Sequence, residues 1–329
     1  MKLTYTNTCF QGEDNMIKLG IIGYGTIAAT YIKSLEHVKE DYTLYGIYDI
    51  NRTKAEHDLA DFTTIFDSLE NLLASEIDCV IISTPIHTHF DVASKCLEAK
   101  KHVIMEKPAT VSLKELEDLF KIAHENDVIF YTSFHSSFAM DIEWYLSNQE
   151  QLKPCYRLDN IKQLECGFYD PYMEDGKIFE DRVSLCGSYI DSGVNILSVC
   201  NRFTSLENFI TETHETRRDE NNVVYSSDTT YVDGNKRIIM HTGWNKGLNQ
   251  KRTLLSFQDT NSHILLDHSN QCVKLLIDGK EEILYQETER ERLVNHYINV
   301  FKNFLKIEDL KSHENNVMKI HSLLLQNGL

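Results

Sequence analysis

The sequence predicts an α/β chain: an N-terminal doubly wound parallel sheet, then a C-terminal α/β region with a large, mostly antiparallel open sheet. Three observations carry this prediction. An apolar run over 17–22 enters a glycine-rich turn and then a helical stretch. Strand and helix patterns alternate from there to about residue 131, which implies right-handed crossovers between parallel strands. From 206 to 285 strand-like runs follow one another, with hairpin dipeptides at Asp233-Gly234 and Asp278-Gly279.

The first strand feeds Gly23-Tyr24-Gly25-Thr26-Ile27-Ala28. Here Gly23 permits a tight turn, Gly25 lets backbone approach a pyrophosphate, and small Ala28 lets helix and strand pack closely. Thr26 and Ile27 then open a helix whose N-terminus faces the anion. The second strand, over 43–48, ends at Asp49, near the spacing at which an acid meets a ribose 2′-hydroxyl. That favours NAD, while Arg52 could offset a 2′-phosphate and keeps NADP open.

Residues 78–108 read as strand, Thr84-Pro85 turn, helix and strand, ending in Glu106-Lys107-Pro108. This places a cation at the carboxyl end of a parallel strand, where open α/β sheets bind ligands. Lysine there can act on a reacting oxygen; the plain alternative is an exposed lysine beside a turn proline. Proline holds Lys107 in extended geometry and makes the Lys107-Pro108 bond a candidate cis peptide. Ser112-Leu113-Lys114-Glu115 is a capping box opening the next helix.

Beyond residue 135 the pattern predicts a helix over 140–148, a strand over 157–166, an aromatic loop to Arg182 and a helix over 188–200. Strands are predicted over 206–213, 223–232, 237–242, 253–257, 263–266, 273–277 and 282–285, and closing helices over 290–305 and 314–325. In the helical stretch from Cys186, Asp191 and Asn195 are four apart and share a face. Their neighbours are apolar, so the helix should be buried, and a buried carboxylate without a partner is costly. Asp191 as a helix cap and Asn195 as a loop tie is one reading; a polyol-binding catalytic helix is the other.

The chain has 329 residues and is 42% hydrophobic, enough for a sizeable core and more consistent with two domains than one. The division expected is an N-terminal extension over 1–15, disordered or a matter of start site, then 16–134 for the dinucleotide and 135–329 for substrate and oligomerisation. Fifty acidic against 33 basic residues give a net charge of −17, which disfavours nucleic acid and anionic membrane and suits a neutral substrate. No run spans a bilayer and no signal core is present, so a cytoplasmic protein is expected. The eight cysteines, Cys9 among them, are scattered without metal spacing; reduced thiols and no metal are the expectation.

Four features together resemble the Gfo/Idh/MocA family of NAD(P)-dependent sugar oxidoreductases, over nearly everything from Met16 onward. They are Gly23-x-Gly25-x-x-Ala28, Thr84-Pro85 with His89 following, Glu106-Lys107-Pro108, and the helix from Gly187 to Asn195. The resemblance implies a Rossmann domain, a C-terminal domain whose open sheet pairs subunits into a dimer or tetramer, and a nicotinamide cofactor. It adds Thr84, Pro85, His89, Glu106 and Lys107 to the cofactor contacts. Many members have a helix-ending glycine where Lys100 stands, and histidine where this chain has Asn195; an amide cannot titrate.

Aldose 1-dehydrogenases of the family resemble the chain in Asp191 and Asn195, in Phe134-His135-Ser136 and in Trp244-Asn245-Lys246-Gly247. The function so implied is oxidation of an aldose of galactose or arabinose type at C1 to the lactone. Lys107 would favour the oxyanion, Asp191 accept the proton and Asn195 orient the hydroxyl. His135, Glu165, Tyr169, Asp170 and Trp244 would read the rest of the sugar, although ordinary packing accounts for these five equally well. Two alternatives stay open: reaction at another carbon of an inositol, deoxysugar or sugar nucleotide, and a non-catalytic sensor of NAD(H) or sugar.

Overall fold

The computed structural model describes residues 16–328 apart from 245, 246, 248 and 307–309. The expected extension over 1–15, with Cys9, and the Asn245-Lys246 pair lie outside the described residues. Two compact units divide the chain: one runs to Ser133 and includes Tyr297–Asn315, the other holds Phe134–His296 and Asn316–Leu329.

The first unit is built on β1 (Ile17–Ile22), β2 (Tyr42–Tyr48), β3 (Thr64–Ile65), β4 (Cys79–Ile82), β5 (His102–Glu106) and β6 (Phe130–Ser133). All pair in parallel, in the order β3-β2-β1-β4-β5-β6. Near-continuous burial along β1, β4 and β6 is what a sheet covered on both faces requires. The connecting helices are α1 (Thr26–Leu35), α2 (Arg52–Leu59), α3 (Leu69–Leu73), α4 (His89–Glu98) and α5 (Leu113–Asn126). Strand order reverses between β1 and β4, so the ligand crevice of such a sheet lies at their carboxyl ends.

As predicted, Ser112 caps α5: its hydroxyl accepts from the Glu115 amide at 3.3 Å. The Lys107-Pro108 bond is cis. Segment 297–315 closes this unit with aromatic rings. Tyr297 lies 4.1 Å from Tyr31, Phe301 4.8 Å from Tyr42 and Phe304 5.6 Å from Tyr131, centroid to centroid.

In the second unit α6 (Met140–Ser147) precedes β7 (Ile161–Tyr169), a two-strand ribbon of β8 (Met173–Glu174) and β9 (Lys177–Ile178), and α7 (Gly187–Cys200). Seven strands follow: β10 (Ile210–Arg218), β11 (Val224–Asp233), β12 (Lys236–Gly243), β13 (Gln250–Phe257), β14 (His263–Asp267), β15 (Cys272–Ile277) and β16 (Lys280–Gln286). They join β7 in an open sheet ordered β10-β11-β12-β7-β13-β14-β15-β16, antiparallel except where β12 meets β7. Two helices close the chain, α8 (Arg292–Leu305) and α9 (Leu310–Leu325). Among the described residues no helix is long and apolar enough to cross a membrane.

Three expected elements moved. The strand predicted over 157–166 starts at Ile161, because Pro154 and Asp159-Asn160 fold the approach into tight 3-10 turns. The strand predicted over 206–213 is displaced to β10, a polar edge strand whose alternation of threonines carries little apolar signal. The aromatic loop contains the β8–β9 hairpin, turned by Asp175-Gly176, both at positive φ.

Candidate active site

In the first unit the loops at the strand ends form one constellation. Gly23 sits at φ +90°, and a Cβ there would lie 2.9 Å from the Ser83 carbonyl oxygen. Gly25 is different: a Cβ would meet nothing within 4 Å, so no protein atom demands glycine. Gly25 also caps α1 without a side-chain acceptor, and the first turn holds no acid, so the amides opened by Thr26 and Ile27 are left for an outside anion. Buried Ala28 packs the helix on the sheet. These residues fit a dinucleotide pyrophosphate. Asp49 accepts from the Tyr24 amide and from the Asn51 amide, each at 2.6 Å, which fixes its carboxylate beside the glycine turn.

Beyond β4 and β5 the two turns are tied together by His89. Its Nε2 lies 2.9 Å from the Thr84 carbonyl and its Nδ1 3.0 Å from that of Pro108. The ring is 1% exposed, and burial pulls its pKa down. His89 therefore has no surface to offer a dinucleotide, contrary to expectation; it sets the spacing of the Thr84-Pro85 and Lys107-Pro108 turns. Glu106 also turns inward, accepting from Tyr31 at 2.9 Å and from the Lys107 amide at 3.2 Å. Burial raises its pKa, partly countered by Lys107 and Tyr31. Its expected cofactor contact is likewise corrected to a buried anion beneath half-buried Lys107. Thr84 and Pro85 remain at the rim, the Thr88 hydroxyl 2.7 Å from Thr84 Oγ1.

In the second unit every residue of α7 is buried. Gly187, at φ +87°, starts the helix against β11, where a Cβ would lie 2.7 Å from the Val224 carbonyl oxygen. Asp191 and Asn195 are each 8% exposed. The Asn195 amide donates to the Asp191 backbone carbonyl at 3.1 Å, and its Oδ1 is buried with no partner among the described residues. An acceptor is thus left for a hydroxyl.

Beside Asp191 stands a lysine that the sequence reading missed. Lys251, 8% exposed, reaches Asp170 at 2.5 Å and Asn249 Oδ1 at 2.5 Å. Burial lowers its pKa and Asp170, then Asp191, oppose that. Asp170 accordingly holds a cation rather than reading a sugar hydroxyl directly. Extending the alternation of Thr253, Leu255 and Phe257 back by one step places Lys251 on the buried face, which is the signal that could have found it.

Three expected sugar contacts do not hold. Cys166 faces α7, its sulfur 3.7 Å from that of Cys200, so alternation turns Glu165 and Tyr169 to the opposite face of the sheet. Tyr169 there feels Arg252, Asp228 and Glu165, and neither side chain can serve with Asp191. Trp244 is 0% exposed and packs edge-on to Tyr172 at 5.7 Å, with no ring face free for a sugar. His135 is buried against His296, Nδ1 to Nδ1 3.3 Å, and keeps a partial claim.

Residues 17–134 match the model of the GFO_IDH_MocA family, described as "Oxidoreductase family, NAD-binding Rossmann fold". This is an NAD(P)-dependent oxidoreductase whose residues 17–134 match that model. The oxidoreductase is 24% identical over 269 residues, 82% of this chain and 71% of the relative, to scyllo-inositol 2-dehydrogenase (NADP(+)) IolW of Bacillus subtilis. Its likeness to myo-inositol 2-dehydrogenase of Thermotoga maritima is 27% over 125 residues, 37% of each chain. Among solved structures it resembles KijD10, a 3-ketoreductase from Actinomadura kijaniata in complex with NADP and TDP-benzene. That match has a TM-score of 0.79 at 16% identity and covers 94% of this chain and 96% of the other. At that identity the likeness shows the fold alone.

Proposed function

We propose that this oxidoreductase is a dehydrogenase of neutral cyclic polyols, oxidising a ring CH–OH to the carbonyl. Nicotinamide, when bound, supplies the hydride acceptor. The residues do the rest: on α7, Asp191 takes the hydroxyl proton and Asn195 accepts from a neighbouring hydroxyl through Oδ1, while in the nucleotide-binding unit Lys107 supplies a cation at the end of β5. Lys251, paired with Asp170, lies close enough to Asp191 to act on its charge.

The observation that carries the reading is the pair on α7, a carboxylate and an amide four residues apart whose buried Oδ1 lacks a partner. The finer reading is oxidation of an aldose of galactose or arabinose type at C1. The likeness to IolW over most of the chain favours an inositol carbon as the second reading. The test is nicotinamide absorbance with NAD or NADP against D-galactose, L-arabinose, D-xylose, D-glucose, inositols and sugar nucleotides. Turnover on one polyol should disappear in Asp191→Ala, with cofactor affinity little changed, and should fall about 10²–10⁴-fold in Lys107→Ala. A Lys107→Ala protein with most of its turnover ends that residue's role. Tight NADH binding with no turnover on any of these would indicate a sensor.

A further inference from the structure

Arg52 opens α2 three residues after Asp49, the place from which an arginine receives the 2′-phosphate of NADP. It is not available there. One guanidinium nitrogen pairs with Glu56 at 2.7 Å, a second with Asp67, and Nε is buried without a partner. The other side chains around the glycine turn are engaged too: Lys54 lies over the Tyr24 ring at 5.2 Å, and Asp58 takes His57 at 2.8 Å and the Tyr24 hydroxyl at 3.4 Å. Asp49 holds its carboxylate beside the turn through two amides.

We infer that Glu56 and Asp67 cage Arg52 and are cofactor-specificity residues, turning a site that contains the NADP arginine into one that selects NAD. The inference rests on the NAD(P) reading of this domain. A 2′-phosphate brings close to two negative charges and needs the guanidinium fork. To bind it, Arg52 must leave two carboxylates, which then stand with Asp49 as three uncompensated anions near the phosphate. A 2′-hydroxyl asks nothing of Arg52 and donates to Asp49. Both pairs are solvent-exposed, Asp67 the more so, and individually weak, so the selection comes from the doubled pairing and the local negative charge together.

The experiment is titration of NADH and NADPH by nicotinamide fluorescence with the whole chain, at fixed low salt. It compares wild type, Glu56→Gln/Asp67→Asn, and the same double variant carrying Arg52→Ala. Wild type should bind NADH at least about tenfold more tightly than NADPH. The double variant should bind NADPH about tenfold more tightly than wild type, with NADH changed less than about twofold; adding Arg52→Ala should remove the gain. Unchanged NADPH affinity beside intact NADH binding overturns the cage alone, as does a gain that survives Arg52→Ala. Failure of a folded wild type to bind either dinucleotide overturns the cofactor reading with it.

Discussion

At the scale of single residues, the two glycines of the first turn divide the work of folding from the work of binding. Gly25→Ala introduces a methyl into open space, so its thermal midpoint should match wild type within about 1 °C while NADH affinity falls at least tenfold. Gly23→Ala places a methyl on the Ser83 carbonyl at φ +90° and should lose about 1–3 kcal/mol of stability as well. Denaturant titration beside cofactor titration separates the two; equal stability loss in both would refute the assignment of Gly25 to the ligand. Lys107, Asp191 and Asn195 were singled out by residue type and spacing only together with the family resemblance; α7 does bury Asp191 and Asn195, and the catalytic roles of all three are proposals. His89, Glu106, Glu165, Tyr169 and Trp244 were misassigned because a one-dimensional pattern does not tell which way a polar or aromatic side chain turns. Lys251 escaped because the strand, which begins at Gln250, was begun three residues too late.

Elements show the same division. The parallel sheet was readable because strands covered on both faces are apolar throughout, as β4 and β6 are. Short α2, α3 and β3 went undescribed, and exposed β10 was displaced, since burial leaves little periodicity in them. Helix α4 adds a prediction. It ends with Lys100 at φ +58°, the Lys100 amide bonding the Leu97 carbonyl and the Lys101 amide that of Cys96, each at 3.0 Å. That is a Schellman stop with a lysine at its left-handed position. Lys100→Gly should therefore raise stability by about 0.5–1 kcal/mol without altering cofactor affinity. An unchanged or lower denaturation midpoint would show that the lysine is not strained there.

For the whole molecule, buried histidines govern the response to acid. Burial drives His313 and His321 to about 4 and lowers His89, His102 and His296 below the ordinary value of 6.5. The unfolded chain takes up these protons near pH 6.5 and the folded chain later, so their stabilisation is complete above 6.5 and is lost as pH falls toward 4. Each can contribute a slope of up to ~1.4 kcal/mol per pH unit. Glu106, with its raised pKa, works in the opposite sense, stabilising below 4.5 and less as pH rises. The thermal midpoint should hold steady above pH 7 and fall steeply from 6.5 to 4.5, with a shallower limb in His321→Leu; the same limb in that variant would assign acid lability to other groups. Another consequence lies in the path of the chain. The unit boundaries at 296/297 and 315/316 fall inside α8 and α9, so each of these helices carries residues of both units. No single backbone cut can release either unit whole: cleavage at 133/134 strands Tyr297, Phe301 and Phe304, the rings that close the nucleotide-binding sheet, on the wrong fragment. A gene truncated after the last parallel strand would thus encode a sheet without its cover, and swapping nucleotide domains between relatives calls for two exchanged segments rather than one.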